Sequence, residues 1–268
     1  MTDVFSERRD SSLSLRTAAT TYSRIRFRPS PAALAWLLRG NEWRVLDLAA
    51  GTGRVTSQLI PRGLTVVAVE PDEQTRAVFG TQFPGIECLD GTAELIPLPD
   101  DSLDAVVVGK AWHLFDPPRA LAEISRTLRT GGRLGVFATS MDTRVDWVRD
   151  MFTDDSLHAQ QRGADSFRNV TLPPEDFSPA GETVFRSTQS MDVTDIVAWF
   201  KTRGMYREAD EHEQQLVEDR IAEALHGAFP DKSTVEIPVM TLCWRTERQP
   251  RALDAGLTPV PSAETTGA

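Results

Sequence analysis

The chain has 268 residues, 40% hydrophobic and 25% charged, enough to bury one sizeable core carrying insertions, or one core with a small cap. Its 29 basic and 39 acidic residues give a formal net charge of -10, which opposes attraction to phosphate backbones and anionic lipid and argues against nucleic acid as a general partner. The start from Met1 to Ser14 is polar and charged and no run reaches bilayer-spanning length, so the expectation is a cytoplasmic protein without membrane association.

From Arg44 onward, short apolar runs alternate with helical spacing, the mark of a doubly wound, mostly parallel α/β sheet. Strands are predicted over 45–48, 65–69, 86–89, 105–108 and 133–137, and helices over 55–60, 73–79 and 119–128. Leu121, Ile124 and Leu128 form the stripe of the last helix, which Gly131 and Gly132 are expected to stop before the fifth strand. After Thr139 the pattern breaks. Pro173, Pro174 and Pro179 mark residues 140–182 as a connection or lid, with a short helix near 145–152.

Further on, Asp192 is placed to cap a helix with the stripe Val193, Ile196, Val197 and Phe200. Another helix is predicted over 208–225, with Leu216, Val217, Ile221 and Leu225 on one side and Gly227 at its end. Residues 234–244 read as a strand that Pro238 demotes to an edge or a bulge. The division expected is a helical cap segment over 1–40, a cofactor-binding core over 41–140, lid and cap insertions with the final strands over 141–245, and a disordered tail over 246–268. Cys88 and Cys243 lack metal-ligand spacing and read as buried thiols in a reducing compartment, and no metal site is expected.

The most informative segment runs from Arg44 to Arg54. An apolar strand ends in Asp47, Gly51 and Gly53 let the backbone turn close to a ligand, and the next apolar run closes on Glu70, where a carboxylate can grip two ribose hydroxyls. Asp47 can hold a water or an amino group, or serve as a turn cap. A dinucleotide fingerprint would place glycine at position 56, where this chain has Thr56.

Four segments together resemble the class I S-adenosylmethionine-dependent methyltransferases, in particular the small-molecule branch typified by ubiquinone and menaquinone biosynthesis. They are 45–53, 66–71, the run from Gly91 to Val106, and the run from Ala120 to Gly132. The resemblance implies a seven-stranded Rossmann-like sheet with helical cap elements and S-adenosyl-L-methionine as cofactor. It also implies methyl transfer to an oxygen, nitrogen or carbon nucleophile of a small-molecule acceptor. The cofactor-side residues it implies are Asp47, Ala49, Gly51, Thr52, Gly53, Glu70, Pro71, Thr92, Ala93 and Gly109. Thr92 stands where the family frequently has an acid for the adenine amino group. It can accept one hydrogen bond there, or cap a short helix beginning at Ala93.

After the fourth strand, His113 is the best-placed general base, with a pocket-wall role as the alternative. Lys110 can bind an anionic substrate group or stand in solvent, and Trp112 can line a pocket or belong to the core. Tyr22 and Arg26 precede Pro29 in a segment that in related enzymes closes over the cofactor, and they can meet substrate or the methionine carboxylate. A basic helix packed on the sheet is the alternative there. His158, His212 and His226 read as structural or surface residues. A rearrangement or cyclisation that uses the bound cofactor without methyl transfer, and a non-catalytic binding module, stay open as functions, and a monomer or a homodimer is compatible with the sequence.

Overall fold

The computed structural model describes residues 25–41, 43–154, 156–157, 167–168 and 170–250. Among these, the strands are β1 (Arg44–Leu48), β2 (Thr65–Val69), β3 (Glu87–Leu89), β4 (Leu103–Gly109), β5 (Leu128–Met141), β6 (Gly181–Asp192) and β7 (Thr234–Glu247). They form one sheet in the order β3-β2-β1-β4-β5-β7-β6. β1 to β5 are parallel, and β7 runs antiparallel between β5 and β6. This is the expected α/β architecture, a seven-stranded, mostly parallel, Rossmann-like sheet.

The central strands are apolar on both faces because helices cover both. Leu46, Leu48, Val106, Val108, Leu134 and Val136 alternate toward α4 (Pro117–Thr127), meeting Ala120, Leu121 and Ile124. Val45, Ala105, Val107 and Phe137 point the other way, toward Ala33, Leu34 and Leu37 of α1 (Pro31–Leu37) and Leu59 of α2 (Thr56–Leu59). Each fully buried valine, leucine, isoleucine or phenylalanine in this period-two alternation contributes about 1.5–3 kcal/mol relative to exposure. α3 (Glu73–Gln82), capped by Asp72, closes the β2 side through Phe79.

A second core lies beyond the sheet proper. β5 runs to Met141 and carries its C-terminal end past β4, beside the start of β7 and the end of β6. On these extended ends Met141, Met191, Val235, Ile237 and Val239 pack against α5 (Asp146–Asp150), α6 (Val193–Lys201) and α8 (Glu211–Ala228) through Val148, Ile196, Trp199, Ile221 and Leu225. α7 (Gly204–Glu208) links α6 to α8. The cap therefore sits on the sheet's carboxyl edge, where ligands bind in open α/β folds.

Several expectations change. α4 ends at Thr127, and Gly131 and Gly132 lie inside β5, where Leu103 pairs with Leu128 and Ala105 with Arg133, so residues 129–132 bulge out. β6 falls within 141–245, where final strands were expected, but its position was not placed, because its outer face is largely exposed and polar. β7 is not an edge strand, yet Pro238 sits where β5 has just ended. Its carbonyl accepts from Asp142 N, so the N–H that proline lacks would face the end of β5 and no ladder bond to β6 is lost. Gly227 lies within α8, which Asp210 and Glu213 open with a reciprocal capping box and Phe229 closes. Asp192 precedes α6 without a side-chain cap bond, its carboxylate accepting instead from Thr234 Oγ1 at 2.8 Å. α1, expected as part of a cap, packs on the sheet because its apolar stripe meets β1, β4 and β5, and Ile25 and Phe27 join the cap core instead. The tail expected from residue 246 starts too early. Thr246 and Glu247 belong to β7, and Arg248 is buried and paired with Asp101.

No helix among the described residues is long and apolar enough to cross a membrane. Cys243 is buried and Cys88 half-buried, both unbridged, and burial pushes their thiols up to about 12 and about 11.

Candidate active site

The strand order reverses between β1 and β4, and the turns that follow these two strands open a cleft. It holds a cavity of about 760 Å³ whose wall includes Ala49, Gly51 and Thr52 after β1, Glu70 and Pro71 after β2, and Thr92 and Ala93 after β3. Gly109 at the end of β4 and Lys110 and His113 after it, together with Arg26, complete the expected set that reaches it. Tyr22 and His158 lie outside the described residues.

The glycine turn is built by backbone geometry. Ala49 and Gly51 have φ of 57° and 59°, and Gly53 has 87°. A side chain at Gly51 would meet nothing within 4 Å, so the space beside it stays open to a ligand, whereas one at Gly53 would strike the Phe83 ring at 2.2 Å. Gly53 is thus a packing glycine for the aromatics of α3 and is absent from the cavity wall. Gly109 combines the two demands, since a Cβ there would meet Val55 and Phe137.

Glu70 is buried at the cavity wall, and both of its oxygens are fixed by main chain. Oε2 accepts from Gly51 N at 2.9 Å and Oε1 from Asp72 N at 3.1 Å. Asp47 is fully buried below the turn. Its Oδ2 accepts from Thr56 N at 2.8 Å and Thr56 Oγ1 at 2.6 Å, pinning the start of α2, while Oδ1 has no partner. Burial, against these two bonds and with some repulsion from Glu70, raises the Asp47 carboxyl to about 6. Asp47, expected to hold a water or an amino group or to cap the turn, is thus engaged beneath the turn by Thr56, the position where a dinucleotide fingerprint needs glycine.

The third edge of the cleft is a turn rather than the helix start considered for Ala93. Thr92 and Leu95 exchange backbone bonds of 3.2 and 3.3 Å, and Thr92 Oγ1 accepts from Glu94 N. Arg126 of α4 anchors the following segment by donating to the carbonyls of Ile96 and Leu98 and to Glu123 and Asp100.

Lys110 has φ of 60° and donates its own N–H to Phe137 O, so the chain leaves β4 sharply and the lysine turns into the cleft. Burial, with Arg26, Arg203 and Arg54 nearby, pushes its ammonium down to about 7. His113 follows on a one-turn 3₁₀ helix, exposed at the rim, and partial desolvation and Lys110 hold its imidazole below the ordinary 6.5. Trp112 does not line the cavity. It is buried edge-on to Phe115 and Phe167, with centroids 5.5 and 4.8 Å away. His212 and His226 lie exposed on α8.

Arg54 and Arg203 were not foreseen. Arg54 follows the glycine turn, lines the cavity and donates to Arg26 O, a position the motif itself could have flagged. Arg203, at the α6–α7 junction, comes near only because the cap folds over the sheet edge, and no local pattern announces it.

Fold and sheet order define a class I, Rossmann-like architecture with its cleft at the point where the strand order reverses. Residues 46–136 match the family described as a methyltransferase domain. An uncharacterized methyltransferase of Mycobacterium tuberculosis is 37% identical over 89% of this chain and 97% of its own length. A demethylmenaquinone methyltransferase of Renibacterium salmoninarum is 37% identical over 37% of this chain and 43% of its own. A solved structure of a proposed type II methyltransferase from Anaeromyxobacter dehalogenans shares the fold, with TM-score 0.62 and 22% identity over 84% of this chain and all 100% of that one. The chain belongs to the methyltransferase family of class I fold, and that fold implies S-adenosylmethionine as methyl donor.

Proposed function

We propose that the protein transfers a methyl group from S-adenosylmethionine to an oxygen, nitrogen or carbon nucleophile of a small-molecule acceptor. The observation that carries this reading is the Glu70 carboxylate, fixed by the amides of Gly51 and Asp72 in the wall of a cleft that also contains His113. Glu70 would hold the ribose hydroxyls, Ala49, Gly51 and Thr52 the methionine side, and Pro71, Thr92 and Ala93 the adenine side, with Gly109 leaving room at the floor. Asp47 and Gly53 support the same turn from beneath. When bound, the cofactor supplies a methyl group already activated on a sulfonium.

What remains for the chain is positioning, exclusion of water and management of one proton. The cap over the carboxyl edge supplies the first two, and orienting two reactants can be worth about 7–11 kcal/mol. His113, held neutral near pH 7, accepts a proton from an acceptor hydroxyl or ammonium, while an acceptor with a ready lone pair needs no such help. The open cavity beside His113 supports an enzyme over a binding module. With its acidic charge and two separate thiols, the protein is read as working in the cytoplasm, as a monomer or homodimer.

Calorimetry with S-adenosylhomocysteine, followed by transfer of labelled methyl to a panel of hydroxylated, aromatic, carboxylic and amino acceptors, tests this. One molecule should bind per chain, and Glu70→Ala should weaken it about tenfold or more. Absence of binding, or a Glu70→Ala variant that binds like wild type, would sink the cofactor assignment.

A further inference from the structure

The chain carries a formal charge of -10, yet Arg26, Arg54 and Lys110 share the wall of one cavity and Arg203 lies close enough to act on Lys110 and Arg26. S-adenosylmethionine offers this cluster one anion, the methionine carboxylate, for which Arg26 is already a candidate. Its ammonium and sulfonium bring two positive charges with that carboxylate, so the donor leaves the cluster net positive. Among the described residues, neither the Lys110 ammonium nor the Arg203 guanidinium has a hydrogen bond or a carboxylate partner. Keeping these two cations half-buried costs free energy unless an anion joins them.

Arg203 also belongs to a second cavity, of about 310 Å³, in the cap. Met151, Phe200, Met205, Leu216 and Val217 give that cavity a largely apolar wall, with Glu213 and Arg220 also on it. The guanidinium lies over the Trp199 ring, 4.7 Å from its centroid, which fixes its plane and leaves its N–H edge for a partner. Lys110, Arg26 and His113 line the cofactor-side cavity and Arg203 lines the cap cavity, and the charge of Arg203 reaches Lys110. A ligand spanning the two cavities would meet cations at one end and hydrocarbon at the other.

We propose that the methyl acceptor is an amphipathic carboxylate, its carboxylate held between Lys110 and Arg203 and its apolar body seated in the cap cavity. This deepens the methyltransferase reading and rests on it for the word acceptor. The two cations make anion binding a condition of productive orientation, since the fork of Arg203 fixes direction and the point charge of Lys110 fixes depth.

The test uses octanoate and octanamide, alike in shape and different in charge, titrated into the full chain saturated with S-adenosylhomocysteine. Octanoate should bind about tenfold or more tightly than octanamide. Lys110→Met and Arg203→Met should each weaken octanoate about tenfold or more, leave octanamide unchanged and leave the S-adenosylhomocysteine Kd within about threefold. Equal binding of octanoate and octanamide, or no binding of octanoate, overturns the proposal. So do variants that weaken S-adenosylhomocysteine as much as octanoate, since the cations would then belong to the methionine carboxylate. Should a variant fail to fold, the wild-type comparison decides alone. Should S-adenosylhomocysteine itself not bind, the methyltransferase reading fails, and the same pair titrated into the ligand-free chain still reads the anion site.

Discussion

The main-chain nitrogen of Gly51 donates to Glu70 Oε2 at 2.9 Å, tying the turn after β1 to the residue that closes the β2 run. With Asp72 N on Oε1, the carboxylate is aimed by two amides that a carboxamide cannot satisfy equally, because glutamine has one acceptor oxygen. Glu70→Gln should therefore lose about 1–2 kcal/mol of stability, read as a lower midpoint in urea, and bind S-adenosylhomocysteine about tenfold or more weakly. A variant with lowered stability and unchanged affinity would leave Glu70 a structural clamp only.

The two glycines of the same turn should separate folding from binding. At Gly53, alanine combines φ of 87° with a Cβ 2.2 Å from the Phe83 ring, both strain and overpacking, at a cost of about 2–4 kcal/mol. At Gly51 the φ of 59° is also left-handed but nothing lies within 4 Å, so alanine should cost only about 1–2 kcal/mol while its methyl intrudes on the cradle. Thermal melts should thus rank Gly53→Ala below Gly51→Ala, and calorimetry should find Gly51→Ala folded but weakened for S-adenosylhomocysteine. The reverse order of melting would refute the packing role given to Gly53.

Asp47 stores a pH-dependent cost. Its carboxyl is raised from 3.8 to about 6, so the folded chain holds that proton more tightly than the unfolded one, and stability is lost as pH rises between about 4 and about 6. Asp47→Asn keeps an acceptor for Thr56 and carries no charge. It should match wild type near pH 4 and exceed it by about 2–3 kcal/mol at pH 7, provided both are unfolded by urea at each pH. A difference that stays constant across this range would show that Asp47 is not desolvated as its burial implies. Gained stability with weakened cofactor binding would mark Asp47 as a site where function is retained against stability.

How much of this was legible follows from what each residue needs. Val45 and Leu46, and the run from Ala105 to Val108, announce themselves because a strand buried on both faces must be apolar throughout, and β1, β2 and β4 begin or end within two residues of expectation. Glu70 was legible for the same reason, since it is the first polar residue after such a run. The position of β6 was not, because an edge strand answers to solvent on one side and Glu182, Arg186 and Gln189 hide its alternation. Asp47 was visible as an acid at a strand end, but its engagement with Thr56, nine residues on, depends on how α2 packs back. Arg203 is the extreme case, meaningful only through cap residues that contact the sheet edge from far along the chain.

Lys110 offers a second pH signature, of opposite sign to that of Asp47. Its ammonium is depressed from 10.5 to about 7 by burial and by Arg26, Arg203 and Arg54, so stability is present at high pH and lost as pH falls toward 7. Below that, the folded chain carries a desolvated charge among three arginines with His113 beside it. Lys110→Met should therefore be more stable than wild type at pH 6, on the order of 2 kcal/mol after allowing for solvent at a half-buried group, and the advantage should shrink as pH rises toward 10. The same variant removes a positive charge from beside His113, so the imidazole, followed by proton NMR, should titrate at higher pH than in wild type. Occupation of the site by an anion should act in the opposite direction on Lys110, raising its pKa and cancelling the stability advantage of methionine. An imidazole titration unmoved by Lys110→Met would separate the two residues electrostatically and remove Lys110 from the neighbourhood of the candidate base.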